Sequence, residues 1–224
     1  MHALLSLDPA PPVGLASPRE HIRQVALQMF VELGFHAVSL RQLAGAVGMQ
    51  AGSLYNHIES KDALLFELIE AYESDLCQAL PSGSAVERDP LKALNTFIRT
   101  HVTFTDAQRQ RWLLARLEYR CLAPAHQAPI LALRDQVAAR LAYILKAGIE
   151  QHRFARVSVS AMVPCMLAML NEISSWHSPG STLSLGASIG LHTQMIHAVL
   201  QPQSTPPEQP MSPNLEQAAS TGPR

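Results

Sequence analysis

The chain has 224 residues, of which 47% are hydrophobic and 16% charged, with a formal net charge of −1. That is enough apolar material for one sizeable core or two small ones. It excludes a protein held to nucleic acid by its overall charge, because phosphate neutralisation usually supplies most of the non-specific affinity; any DNA contact must rest on local residues.

Residues 1–16 hold several prolines and no helical period, and read as a loose arm. Ser17-Pro18-Arg19-Glu20 then supplies an N-cap serine, a proline at the first helical position and a glutamate at the third. Ile22, Val25, Ala26, Met29, Phe30 and Leu33 follow at helical spacing, and Gly34 ends the helix with Phe35 placed to pack back on its last turn. Ser39-Leu40-Arg41-Gln42 is a second capping box, opening a short helix that turns Leu40, Leu43, Ala44 and Val47 inward until Gly48 breaks it. A very short helix over about 50–57 comes next. Ser60 caps a fourth, with Asp62 complementing its dipole and Leu64, Leu65, Leu68, Ile69, Tyr72 and Leu76 on its inner face.

Pro81-Ser82-Gly83-Ser84 is the clearest internal break. Helical patterns then cover roughly 90–104, 106–120, 127–150, 160–176 and 183–200. Pro124 and Pro129 bound the third, Pro164 sits early in the fourth, and Ser178-Pro179-Gly180-Ser181 separates the last two. The stretch 201–224, rich in Pro, Gln and Ser, reads as a disordered tail. With no hairpin signal and no alternating strands, the chain is expected to be all-α, three small helices feeding a larger bundle.

The segment Val47 to Leu64 is the densest in information. A helix-turn-helix needs two short helices held at a steep angle by a tight turn, often containing Gly. Gly48 sits at that turn, and Ala44 and Ala51 permit close approach. The second helix is too short to be stable alone, so Leu54 and Ile58 are expected to clamp it against the first and fourth helices. Gln50, Ser53, Asn56 and His57 would then face outward with Tyr55 at one flank, hydrogen-bonding groups on an element narrow enough for the major groove. An ordinary three-helix packing motif, with Tyr55 half-buried and His57 on the surface, is the plainer alternative.

Residues 17–66 resemble the DNA-binding region of TetR-family transcriptional regulators. The resemblance is carried by Glu32-Leu33-Gly34-Phe35, Val38-Ser39-Leu40-Arg41-Gln42-Leu43-Ala44, Val47-Gly48-Met49, Gly52-Ser53-Leu54-Tyr55 with His57, and Ser60-Lys61-Asp62-Ala63-Leu64. It implies a helix-turn-helix DNA-binding domain over 17–60 and a helical ligand-binding and dimerisation domain over 61–200. It also implies phosphate contacts from Tyr55, His57 and Lys61, which position the helix without reading sequence. Ser39 stands at a helix N-terminus, where a phosphate can be met, and Arg41 can reach a phosphate or a guanine edge. Gln50, Gly52, Ser53 and Asn56 are the expected base-contact or close-approach positions. Two departures stand out: Gln50 replaces the usual serine or threonine, and Ile58 the usual phenylalanine. Arg19, Arg23, Arg41 and Lys61 are balanced by Glu20, Glu32, Glu59 and Asp62, so tight binding to double-stranded operator DNA is expected to need a dimer.

The second half should then hold an effector site and a homodimer interface. Met162, Val163, Met166, Leu167, Met169, Leu170 and Ile173, with Leu185, Ile189, Met195, Ile196 and Val199, make two broad apolar helices suited to a four-helix interface; an internal core is the alternative. Residues 108–120 are rich in arginine and aromatics, and arginine forks suit phosphates and carboxylates. With Asn171-Glu172 and Trp176-His177-Ser178-Pro179-Gly180, this stretch is similar to TetR-like regulators that sense acyl-CoA thioesters. That resemblance implies a ligand set of Arg109, Trp112, Arg116, Tyr119, Arg120, Met166, Asn171 and Trp176. The expected activity is a repressor released from a palindromic operator by a small-molecule effector, an acyl-CoA thioester of a catabolic pathway. A multidrug-type sensor of neutral or cationic hydrophobes, or a helical adaptor dimer that does not bind DNA, are the alternatives.

An enzyme is not expected. There is no metal-binding His or Cys spacing, no glycine-rich phosphate loop and no nucleophile elbow, so neither metal nor cofactor is anticipated. Cys77, Cys121 and Cys165 are too scattered for a disulfide framework. No apolar run reaches eighteen residues, and Met1 to Pro12 lack the marks of a secretory signal. A cytoplasmic protein with no membrane partner is the expectation.

Overall fold

A computed structural model describes residues 17–176 and 183–201, without the side chains of residues 84–85 and 173–176. The expected arm, the Ser178-Pro179-Gly180-Ser181 break and the tail from residue 202 lie outside the described residues. Within them, every regular element is helical.

Helix α1 (Pro18–Leu33) begins as its sequence dictates: the Ser17 hydroxyl accepts from the Glu20 amide, and Pro18 opens the first turn. It stops at Gly34, whose φ of 85° is a conformation that side chains rarely adopt. Helix α2 (Leu40–Ala46) carries the full capping box, with Ser39 and Gln42 bonding each other's backbone amides. Gly48, at φ 71°, makes the turn into α3 (Ala51–Leu54). Helix α4 (Lys61–Ala79), capped by Ser60, ends where Leu80 turns extended ahead of Pro81.

The body is built from α5 (Ser84–Arg88), α6 (Pro90–Ala107), α7 (Arg109–Leu117), α8 (Pro124–Glu150), α9 (Val159–Trp176) and α10 (Leu185–Leu200). α4 packs on α1 at one end and on α6, α7 and α8 along its length, while α1 also lies against α7. One buried apolar cluster therefore runs without interruption from Ile22 in α1 to Leu200 in α10, and α4 contributes to both ends of it.

Three boundaries differ from expectation. The helix expected over about 50–57 is only four residues long, and Tyr55, Asn56 and His57 form a turn after it. The 106–120 pattern divides at Gln108 and ends at Leu117, followed by a 3-10 turn over Tyr119–Cys121. Pro129 lies inside α8 instead of bounding it, because Pro124 already starts the helix; the Ala125 carbonyl that loses a partner is on an exposed residue, where water can satisfy it.

Candidate DNA-reading face and effector cavity

Leu54 and Ile58 are buried in the apolar cluster, and the four-residue helix packs on α2. Everything on its other side faces outward. Gln50, Gly52, Ser53 and Asn56 are exposed, Tyr55 is 59% exposed, and His57 is half-buried. The Gln50 side chain makes no capping hydrogen bond, so its amide is not spent on the helix it precedes. A side chain added at Gly52 would meet no atom of this chain within 4 Å. Internal packing therefore does not require that glycine, and the open space lies on the outward face.

The cations around this face differ in what they do. Arg19 and Arg23 both pair with Glu67, at 2.8 and 3.0 Å. Arg41 is exposed and forms no ion pair among the described residues. The Lys61 ammonium donates to the Phe35 and Val38 carbonyls at 2.9 and 2.8 Å and lies 4.2 Å from the Phe35 ring centroid. Two of its three donors hold the α1–α2 connection in place, which leaves one for a phosphate. The Ser39 hydroxyl likewise donates to Gln42 Oε1 and accepts from the Gln42 amide, so its first role is the cap.

Beyond this unit, α4, α6, α7, α8 and α9 line an open-sided cavity of about 400 Å³. Its walls are Tyr72, Glu73 and Leu76 from α4, His101 from α6, Trp112, Ala115 and Arg116 from α7, Arg134 and Val137 from α8, and Leu167, Ala168, Asn171 and Glu172 from α9. Four of these residues carry formal charge, in two pairs. Arg134 Nε donates to the buried Glu73 carboxylate at 2.7 Å and its Nη2 to the Ala115 carbonyl at 3.0 Å; Arg116 bonds Glu172. Burial pushes the Glu73 carboxyl up, opposed by Arg134. The Tyr72 hydroxyl lies 3.3 Å from Thr105 Oγ1, which itself donates to the His101 carbonyl at 2.8 Å. Tyr72 is therefore the donor of that pair, and its burial raises its pKa far above the usual phenol range. His101 is 2% exposed, its Nδ1 has no hydrogen-bond partner among the described residues, and burial lowers its pKa to about 4.

Of the expected ligand set, Trp112, Arg116 and Asn171 line this cavity. Four residues do not. Met166 is buried in the core instead, and Tyr119, in the 3-10 turn, is covered by the Arg134 guanidinium at 4.5 Å. Arg120 is exposed beyond the end of α7, and Arg109 sits one turn before Trp112, off the cavity wall. The Trp176 side chain lies outside the described residues. The sequence reading missed Glu73, His101 and Arg134. The first two carried a legible signal: each is a polar residue on the apolar stripe of its own helix, Glu73 beside Tyr72 and Leu76, His101 between Phe97, Ile98 and Thr105.

Of the expected dimer residues, Met162, Leu167, Met169 and Leu185 are half-buried. Val163, Met166, Leu170, Ile189 and Ile196 are buried within the subunit. Met195 and Val199 are instead 49 and 56% exposed, on one side of α10 with Leu191, which the sequence reading did not include, and beside the small residues Gly186, Ala187, Gly190 and Ala198, which are also exposed. The helix is apolar on two faces, and only one is used inside the chain.

An N-terminal helix-turn-helix with an exposed polar face, joined to a C-terminal helical domain that holds a cavity, is the architecture of helix-turn-helix regulators. The family model described as "Bacterial regulatory proteins, tetR family" matches residues 22–68, and "Tetracyclin repressor-like, C-terminal domain" matches residues 87–200. The chain belongs to the TetR family of transcriptional regulators. It is 22% identical over 174 residues, 77% of this chain and 85% of the relative, to the HTH-type transcriptional repressor KstR2 of Rhodococcus jostii. Among solved structures, the TetR-family regulator PfmR from Thermus thermophilus superposes with a TM-score of 0.69 at 26% identity, over 82% of this chain and 99% of that one. AibR, solved with isovaleryl coenzyme A and operator DNA, superposes with a TM-score of 0.71 at 18% identity, over 84% of this chain and all of that one. No helix among the described residues is long and apolar enough to cross a membrane.

Proposed function

We propose that the protein is a homodimeric repressor that binds a palindromic operator and releases it when an acyl-CoA thioester occupies the cavity. The observation that carries the DNA-binding role is the outward face of residues 50–57: a helix too short to stand alone is clamped by Leu54 and Ile58, and its polar residues are left unused by the chain. In this reading Tyr55, His57, Arg41, Ser39 and the remaining Lys61 donor meet phosphates. Gln50, Ser53 and Asn56 meet base edges, and Gly52 allows the backbone to approach the groove.

The exposed apolar side of α10 supports an isologous dimer, which would set two recognition helices about 34–36 Å apart. A cavity of about 400 Å³ suits the acyl portion of a thioester and leaves the nucleotide outside, within reach of the exposed Arg116 and Arg120. Contacts between α4 and α8 support a route from cavity to DNA in this reading. The Asp62 carboxylate, at the start of α4, accepts from the Ala123 amide at 3.2 Å and meets His126 Nδ1 at 2.5 Å, while the His126 ring stacks on Phe66. Through α8, which carries Arg134 and Val137, a change in cavity shape can bias the position of the recognition unit.

The decisive experiment is in-vitro selection of DNA by the purified full-length protein, repeated with a panel of acyl-CoAs. An inverted repeat whose binding is lost with one CoA class is the expected result. Selection of no motif would overturn the regulator, and release only by neutral or cationic hydrophobes would overturn the thioester.

A further inference from the structure

The two ion pairs on the cavity wall are built differently. In the inner pair, Glu73 is buried, and its partner Arg134 also donates to the Ala115 carbonyl and lies over the Tyr119 ring. The outer pair joins α7 to α9: Arg116 Nη2 meets Glu172 Oε1, with the two side chains 41 and 37% exposed. No other hydrogen bond or ion pair reaches Arg116 among the described residues. What orients its guanidinium is the buried Trp112 ring, whose centroid lies 5.3 Å away. Breaking the inner pair would strand a buried charge, which is strongly unfavourable. An exposed ion pair favours its closed state by about fivefold at most. The outer pair is therefore the one that can exchange partners.

We propose that Glu172 is a stand-in anion, which holds the Arg116 guanidinium at the open side of the cavity until a phosphate of the effector displaces it. This rests on the reading of the cavity as an acyl-CoA site, and adds that the chain competes with its own effector for one cation. The exchange is chemically favourable in its direction. Glu172 engages Arg116 through one nitrogen, whereas a phosphate can take two parallel N–H bonds from the same planar fork. The released carboxylate is already partly exposed, so water can solvate it without a rearrangement of the core. Trp112 is held in the wall throughout and keeps the guanidinium over its face while the partner changes.

The test is calorimetric titration of the full-length protein with hexanoyl-CoA and with S-hexanoyl-N-acetylcysteamine, the same thioester without phosphates. Glu172→Gln removes the competing charge and keeps the shape. It should bind hexanoyl-CoA about three- to tenfold more tightly than wild type does, and the phosphate-free thioester within about twofold of wild type. Arg116→Gln should weaken hexanoyl-CoA by about tenfold and leave the phosphate-free thioester within about twofold. Asp75→Asn is the matched control. It frees a second α7 arginine, Arg111, from an exposed carboxylate at 2.8 Å, and neither residue of that pair lines the cavity; both affinities should stay at the wild-type value. If a variant does not fold, the Arg116 side-chain ¹⁵N resonances of the wild-type protein give the same answer: they should shift with hexanoyl-CoA and stay still with the phosphate-free thioester. Hexanoyl-CoA binding that is unchanged or weaker in Glu172→Gln, an equal gain for both probes, or an equal gain in Asp75→Asn would each overturn the stand-in role and leave the thioester reading in place. No binding of hexanoyl-CoA to the wild-type protein would overturn both.

Discussion

Mild acid should destabilise this protein through His101 by an amount that can be calculated. The imidazole has a pKa of about 4 in the folded state against 6.5 for the free side chain, because burial disfavours its charged form. The unfolded chain therefore binds the proton first. The stability contributed by the neutral ring is complete above the unfolded value and is lost as pH falls from 6.5 towards 4, with a limiting slope of about 1.4 kcal/mol per pH unit. Between pH 7 and pH 5 the loss integrates to about 2 kcal/mol, a large share of a typical net stability of roughly 5–15 kcal/mol. Glu73, on the facing helix, has its folded pKa raised by burial, so its own contribution runs the other way, declining as pH rises above the carboxylate range. Glu73 and its partner Arg134 are present in both wild type and His101→Asn, so the difference between the two proteins isolates the histidine. Urea unfolding at pH 7 and pH 5, at one protein concentration, should show wild type losing about 2 kcal/mol more than the variant. Equal losses would refute the buried neutral state.

Other outcomes follow from the same contacts. Replacing Lys61 by methionine should lower stability by about 2 kcal/mol, since it removes two charge-assisted bonds to the Phe35 and Val38 carbonyls, and it should also weaken operator binding; a melting temperature equal to wild type would show that the clamp contributes nothing. Tyr55→Ala should leave the melting temperature unchanged, because the ring is exposed, yet weaken binding to every DNA sequence in a mobility-shift assay. Gly52→Ala should be tolerated by the fold, where nothing meets the added methyl group, and should still reduce operator affinity; retained affinity would remove the close-approach role. Gly148→Ala should destabilise by about 2 kcal/mol or more on thermal or denaturant unfolding, because its Cβ would fall 2.0 Å from the buried Phe154 ring.

Much of the N-terminal unit is legible in the sequence because its determinants are local. Ser17, Ser39 and Ser60 cap the helices they precede, Gly34 and Gly48 take the positive φ their turns require, and the spacing of Leu54 and Ile58 defines which side is clamped. Capping boxes and glycine turns act within three or four residues, so they can be read without knowing the fold. The same local rules fix the all-helical class and the approximate span of the later helices.

Partners far apart in the chain were decided by tertiary packing alone. Lys61 reads as a phosphate contact until α4 places its ammonium beside two carbonyls more than twenty residues away. The arginine-rich stretch reads as one ligand-binding run, but from it Trp112, Ala115 and Arg116 line the cavity, and Arg116 is answered by Glu172 from α9. The cavity's polar lining also includes Glu73, His101 and Arg134, on three different helices. Helical periodicity assigns each residue to a face of its own helix; which faces meet, and so which charges cancel and which nitrogen is left without a partner, depends on how five helices converge.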